Sequence, residues 1–86
     1  MRHAARTDDV QPEIIKALRA IGCRVFYLKE PCDLLVHHRN VLRLFECKDD
    51  DGRLTKKQVQ LIAEGWPIEI VRSPQEAVNL VLVGSK

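Results

Sequence analysis

Asp33, Glu46 and Lys48 stand out in this 86-residue chain as side chains able to act jointly in a reaction. They lie in P-C-D-L-L-V-H-H-R-N-V-L-R-L-F-E-C-K, from Pro31 to Lys48, where two apolar runs, Cys32 to His38 and Val41 to Lys48, flank the polar pair Arg39-Asn40. That pattern predicts a β-hairpin, with Asn40 tolerating positive φ in the turn. A two-residue loop pairs His38 with Val41, and counting outward pairs Asp33 with Glu46 on one face, Cβ atoms about 4.5–5.5 Å apart. A four-residue loop keeps this register, whereas an odd loop would send the carboxylates to opposite faces. Opposed carboxylates among apolar residues repel, so the arrangement calls for a cation. A hard divalent ion such as Mg²⁺ (or Mn²⁺) binds through few carboxylates and keeps several waters. Lys48 lies two residues after Glu46, so strand alternation turns it to the same face. Carboxylates that hold an ion, an ion that acidifies water, and a lysine that orients the water or steadies charge on phosphate are the parts of phosphodiester hydrolysis. The plainer alternatives are a turn-forming aspartate and an exposed Glu–Lys ion pair. Leu42 and Leu44 share the predicted face and lead us to expect it to be covered.

The hairpin needs elements around it. A helix is predicted from Asp8 or Asp9, with Pro12 in its first turn, apolar residues at Val10, Ile14, Ala17, Leu18 and Ile21, and Gly22 as its stop. Glu13 lies on the margin of that stripe and, on its own, reads as a solvated carboxylate favoured by the helix dipole. Cys23 to Leu28 is a first strand. Asp49-Asp50-Asp51-Gly52 lacks the alternation and distal glutamate of a calcium loop and reads as a solvated turn. Thr55 and Gln58 form a capping box that opens a second helix, stapled by Leu54 and Val59 and stopped by Gly65. Val59, Ile62, Ala63 and Trp66 follow at core spacing, which makes Trp66 a core anchor rather than a stacking platform. Pro67 to Arg72 is a fourth strand. Ser73-Pro74-Gln75-Glu76 is a second capping box, before a last helix over Ala77 to Val83. The order is αβββαβα, an α/β fold with a mixed four-stranded sheet flanked by helices, in a single domain whose residues 1–7 are expected to be flexible.

Hydrophobic residues at 45% and charged residues at 30% exclude an intrinsically disordered chain. A net charge of +2 means that any nucleic-acid surface must come from clustered rather than overall charge. Lys56-Lys57 at a helix N-terminus, and Arg39 and Arg43 beside His37-His38, are the candidate clusters. The two histidines are adjacent in a strand and cannot chelate one ion together. Cys23, Cys32 and Cys47 show neither C-x-x-C nor zinc spacing, so they are expected to be reduced core thiols. The sequence shows no apolar signal core or membrane-spanning run, giving a cytoplasmic expectation with no membrane partner. The last helix carries Ala77, Val78, Leu80, Val81, Leu82 and Val83, more apolar positions than one face buries, so a homodimer is expected through it. The counter-reading is that a long N-terminal arm or the first helix covers it within one chain.

Asp33 followed by Glu46-Cys47-Lys48 resembles the PD-(D/E)XK nuclease signature. Gly52-Arg53-Leu54-Thr55-Lys56-Lys57-Gln58, Q-P-E-I-I-K-A-L-R at Gln11 to Arg19 and V-R-S-P-Q-E-A at Val71 to Ala77 are similar to the small phage and bacterial branch called VRR-NUC. Relatives usually place Pro directly before the aspartate; here Cys32 intervenes. The resemblance implies a restriction-endonuclease-like fold and an Mg²⁺-dependent endonuclease acting on DNA, branched DNA in particular, in a bacterial or phage-infected cell. It implies Asp33 and Glu46 as metal ligands, Lys48 as the catalytic lysine, Gln58 near the catalytic centre and Glu13 as a further metal ligand from the first helix. Two other classes remain open: a nuclease-fold nucleic-acid-binding module without turnover, and a protein-interaction domain.

Overall fold

The computed structural model describes residues 10–84; residues 1–7, expected to be flexible, and the helix start expected at Asp8 or Asp9 lie outside that range. The element order is α1 (Val10–Ala20), β1 (Arg24–Tyr27), β2 (Leu34–His38), β3 (Val41–Cys47), α2 (Lys56–Ala63), β4 (Ile68–Val71) and α3 (Pro74–Val83). The strands form one sheet in the order β1-β2-β3-β4; the first three are antiparallel neighbours, and β4 runs parallel to β3. This is the mixed α/β architecture expected.

The β2–β3 hairpin turns on two residues. Arg39 and Asn40 both have positive φ, 48° and 70°, the pattern of a type I′ turn whose twist matches the strands it joins. His38 therefore pairs with Val41, and the register runs out to Leu34 opposite Phe45. Asp33 and Glu46 come next.

Helices α1 and α3 pack together on one face of the sheet. Ile14, Leu18 and Ala77 meet Leu34, Val36, Phe45, Cys47 and Val71 there, all fully or almost fully buried. Gly22, at φ 96°, ends α1 with the N–H of Cys23 bonded to the carbonyl of Leu18 and its own N–H to that of Arg19, the paired bonds of a Schellman stop. The last helix is thus covered from within the chain: Ala77 is buried and Leu80 and Val81 pack on the core, leaving Leu82 and Val83 exposed. The surface that α3 leaves for a partner is thereby narrowed to its end, because α1 takes much of the apolar stripe.

The opposite face is thinly covered. Helix α2 has no buried residue, and Val59, Ile62 and Trp66 are 53%, 37% and 44% exposed. Core spacing along a helix says which residues share a side, not whether a second surface meets that side. Trp66 is accordingly not a core anchor. Leu42, at 64% exposed, overturns the expectation of a covered face at the turn end of the hairpin, whereas Leu44 is half-buried and Ile68 beside it is buried. All three cysteines are buried free thiols, as expected. Among the described residues, no helix is long and apolar enough to cross a membrane.

Candidate active site

Asp33 stands just before β2, at the end of the hairpin remote from the turn. Its carbonyl accepts the N–H of Leu28 at 2.8 Å, tying its backbone to the end of β1. Its Oδ2 accepts the backbone N–H of Cys47 at 2.9 Å, so the carboxylate is fixed across the strand pair. Glu46 follows Phe45 on β3 and, by alternation, faces away from the α1–α3 core. It is only 4% exposed, the one charged residue buried among those described.

Three neighbours define its state. Gln58 donates Nε2–H to Glu46 Oε2 at 2.6 Å, and Lys48 Nζ lies 3.5 Å from the same oxygen. Burial pushes the Glu46 carboxyl above its ordinary value and the nearby Asp33 charge adds to this; Lys48 and Gln58 act in the opposite direction. The pair is what the register predicts: two carboxylates of which one is desolvated, so that a cation would relieve both burial and repulsion. The hydrogen bonds described use Asp33 Oδ2 and Glu46 Oε2, and the second oxygen of each carboxylate takes no part in them. Two hard oxygen donors at the rim of a sheet suit an ion that keeps several waters, not an all-protein cage.

Gln58 also explains its own placement. Its Oε1 accepts the N–H of Thr55 at 2.9 Å while Thr55 Oγ1 accepts the N–H of Gln58 at 3.1 Å, completing the capping box. Capping and contact with Glu46 are therefore roles of one side chain, the two ends of its amide serving one each.

Among the described residues no three His, Cys, Asp or Glu side chains gather into a metal-binding group. Glu13 is exposed on α1 and is not brought into a group with Asp33 and Glu46. Cys32 is buried beside the carboxylates; its thiol is pushed up to about 11, mainly by burial, which keeps it protonated and poorly nucleophilic at neutral pH.

The basic candidates separate. Lys56 and Lys57 are exposed at the start of α2, next to Gln58, and Lys57 makes an open ion pair with Glu30 at 3.0 Å. Arg39 is exposed in the turn, about 20 Å along the strands from Asp33. Arg43 is corrected as an open phosphate contact: its Nη1 lies 2.9 and 3.0 Å from the two oxygens of Glu69, in a half-buried ion pair between β3 and β4. Its position beside histidines in sequence concealed this, because Glu69 is 26 residues away.

Arg72 was not distinguished from its motif by sequence reasoning. Its Nη1 donates to the carbonyls of Asp49 at 2.6 Å, Gly52 at 3.0 Å and Asp50 at 3.5 Å, closing the loop that leaves Lys48. Only its place in V-R-S-P-Q-E-A marked it, since carbonyl partners leave no trace in residue types.

In comparisons with known proteins, the chain matches no family model, no curated protein and no solved structure.

Proposed function

We propose that the protein is a divalent-metal-dependent endonuclease of the PD-(D/E)XK type, with a restriction-endonuclease-like sheet, that hydrolyses phosphodiester bonds in DNA. One observation carries the reading: Asp33 and a desolvated Glu46 flank each other across the hairpin, with Lys48 and Gln58 both directed to the Glu46 carboxylate. Asp33 and Glu46 would hold Mg²⁺ or Mn²⁺, which when bound supplies an acidified water and neutralises phosphate charge. Gln58 fixes the Glu46 side chain through Oε2 and leaves Oε1 for a ligand. Lys48 Nζ, held beside the pair, donates hydrogen bonds to the attacking water or to a phosphoryl oxygen as negative charge grows there. Lys56 and Lys57, exposed at the N-terminal end of α2 near Gln58, support a path for the phosphate backbone.

The test is incubation with branched, nicked and linear DNA in Mg²⁺ or Mn²⁺, read against Asp33→Asn and Lys48→Ala. Cleavage by the native chain and its loss, by about 10²-fold or more, in both variants is expected. Full activity in either purified variant would remove that residue from the site. Metal and DNA binding without cleavage by the native protein would instead favour the non-catalytic binding module.

The same reading includes a homodimer, for which the end of α3, with Leu82 and Val83, and the open sheet face around Leu42 are the exposed apolar surfaces. Leu35, Val41, Leu42, Leu44, Pro67 and Ile68, together with the Arg43–Glu69 ion pair, line an open depression of about 720 Å³. Two-fold pairing of two copies would give two metal sites for the two strands of a branched duplex. Leu42→Asp should yield monomers by light scattering; a native chain that stays monomeric at high micromolar concentration would overturn the dimer.

A further inference from the structure

The loop from Asp49 to Gly52 carries three consecutive aspartates, yet Arg72, which reaches it from the end of β4, bonds to its carbonyls and not to their carboxylates. The N–H of Gly52 closes a turn onto the carbonyl of Asp49 at 2.9 Å. Within this turn the carbonyls of Asp49, Asp50 and Gly52 converge on one nitrogen, Nη1 of Arg72, and no ion pair of Arg72 with a carboxylate is found among the described residues.

Both ends of this arrangement are anchored in the sheet. Arg72 directly follows Val71, which pairs with Cys47, and the N–H of Lys48 donates to the carbonyl of Val71 at 3.0 Å. The N–H of Arg72 itself donates to Glu76 Oε1, so that Glu76 reaches back past Ser73 to hold the base of the clamp instead of closing a capping box on Ser73. Gly52 is packed against the site lysine: a Cβ there would lie 3.2 Å from both Cβ and Cδ of Lys48 and 3.3 Å from the nitrogen of Asp49. The clamped loop is thus a wall along the aliphatic part of Lys48, and it leads within a few residues to Thr55 and Gln58.

Packing holds α2 only weakly. No residue of α2 is buried and only Gln58 and Leu61 are half-buried, so the loop before the helix has a large share in setting the height of Gln58 over Glu46. We propose that Arg72 is a positioning residue, which by gathering the carbonyls of Asp49, Asp50 and Gly52 holds Lys48 and Gln58 together on the Glu46 carboxylate. The role rests on the nuclease reading of that site, and the clamp itself does not.

The experiment compares Arg72→Met, which keeps the length of the side chain and removes the cation, with Arg72→Lys, which restores a cation with three donors. In metal-free protein, amide hydrogen exchange over residues 49–58 should accelerate about tenfold or more in Arg72→Met, with the α1–α3 core unchanged, and recover in Arg72→Lys. In cleavage assays kcat should fall by about 10–100-fold in Arg72→Met while KM changes by no more than about threefold, and Arg72→Lys should regain most of the loss. A general loss of structure would not produce that split or that rescue. A folded Arg72→Met with native exchange in the loop, or with native kcat, overturns the proposal. If the native chain does not cleave DNA at all, the nuclease reading fails and the exchange arm still judges the clamp.

Discussion

Replacing Asp33 with asparagine tests the central geometry without using turnover. Asp33 and Glu46 are one register step beyond the Leu34–Phe45 pair, a placement that sets Cβ atoms about 5 Å apart and that we take as the scale of the charge separation. At an effective dielectric of about 20 two charges at that distance repel by about 3 kcal/mol. Asp33 is half-buried, and solvent screening reduces this to about 1–2 kcal/mol. Against it, the amide oxygen of the new side chain would still accept the N–H of Cys47 but without the charge, a loss of about 0.5–1 kcal/mol. The Glu46–Lys48 and Glu46–Gln58 contacts remain. The metal-free variant should therefore equal the native protein or exceed it by up to about 1.5 kcal/mol, each kcal/mol raising Tm by about 4–8 °C. Divalent ion reverses the order. At tenfold its Kd, Mg²⁺ or Mn²⁺ should add about 1.4 kcal/mol to the native fold, and close to nothing to Asp33→Asn. Urea or thermal unfolding with and without the ion measures both effects. A variant destabilised by about 2 kcal/mol or more in metal-free buffer, or one that gains as much from the ion as the native chain, would refute the reasoning.

The raised Glu46 carboxyl gives a pH dependence whose sign follows from the shift. Its contribution to metal-free stability is full below the ordinary carboxyl value and is lost as pH rises through the raised one, whereas stabilisation by the ion appears over that same rise. Thermal unfolding with and without Mg²⁺ from about pH 4 to about pH 8 should show the crossover, and Lys48→Ala should move it to higher pH because a charge favouring the carboxylate is gone. Lys56→Ala with Lys57→Ala should weaken binding to all DNA sequences alike and lower the salt dependence of affinity by about two phosphate contacts; unchanged binding in a salt titration excludes the start of α2 as phosphate cradle. Arg39→Asn with Asn40→Gly, the residues a type I′ turn prefers, should raise stability by about 0.5–1 kcal/mol in urea unfolding with no change in the metal response, because it relieves positive φ at Arg39 and leaves the register as it is.

Residue order alone was enough to specify the hairpin and hence the pairing on which the site rests. Alternating apolar residues and a two-residue polar break leave one favourable register, and that register puts Asp33 across from Glu46 with Lys48 one alternation further on. The helix ends at Gly22 and Gly65 and the Thr55–Gln58 capping box were legible for the same reason, since they depend on neighbours within a few residues. What lay beyond reach were interactions between residues far apart in the chain. The side of α3 that α1 covers, the pairing of Arg43 with Glu69 and the closure of the Asp49–Gly52 carbonyls on Arg72 each join partners about 20 or more residues apart or elements from opposite ends of the chain. Periodicity identified the apolar sides of α2 and the sheet but not whether anything packs on them, and it took the assembled fold to leave Leu42, Val59 and Trp66 in the open. Local patterns set the dihedral angles and the facing of side chains, while burial depends on which surfaces finally meet, a property of the whole chain.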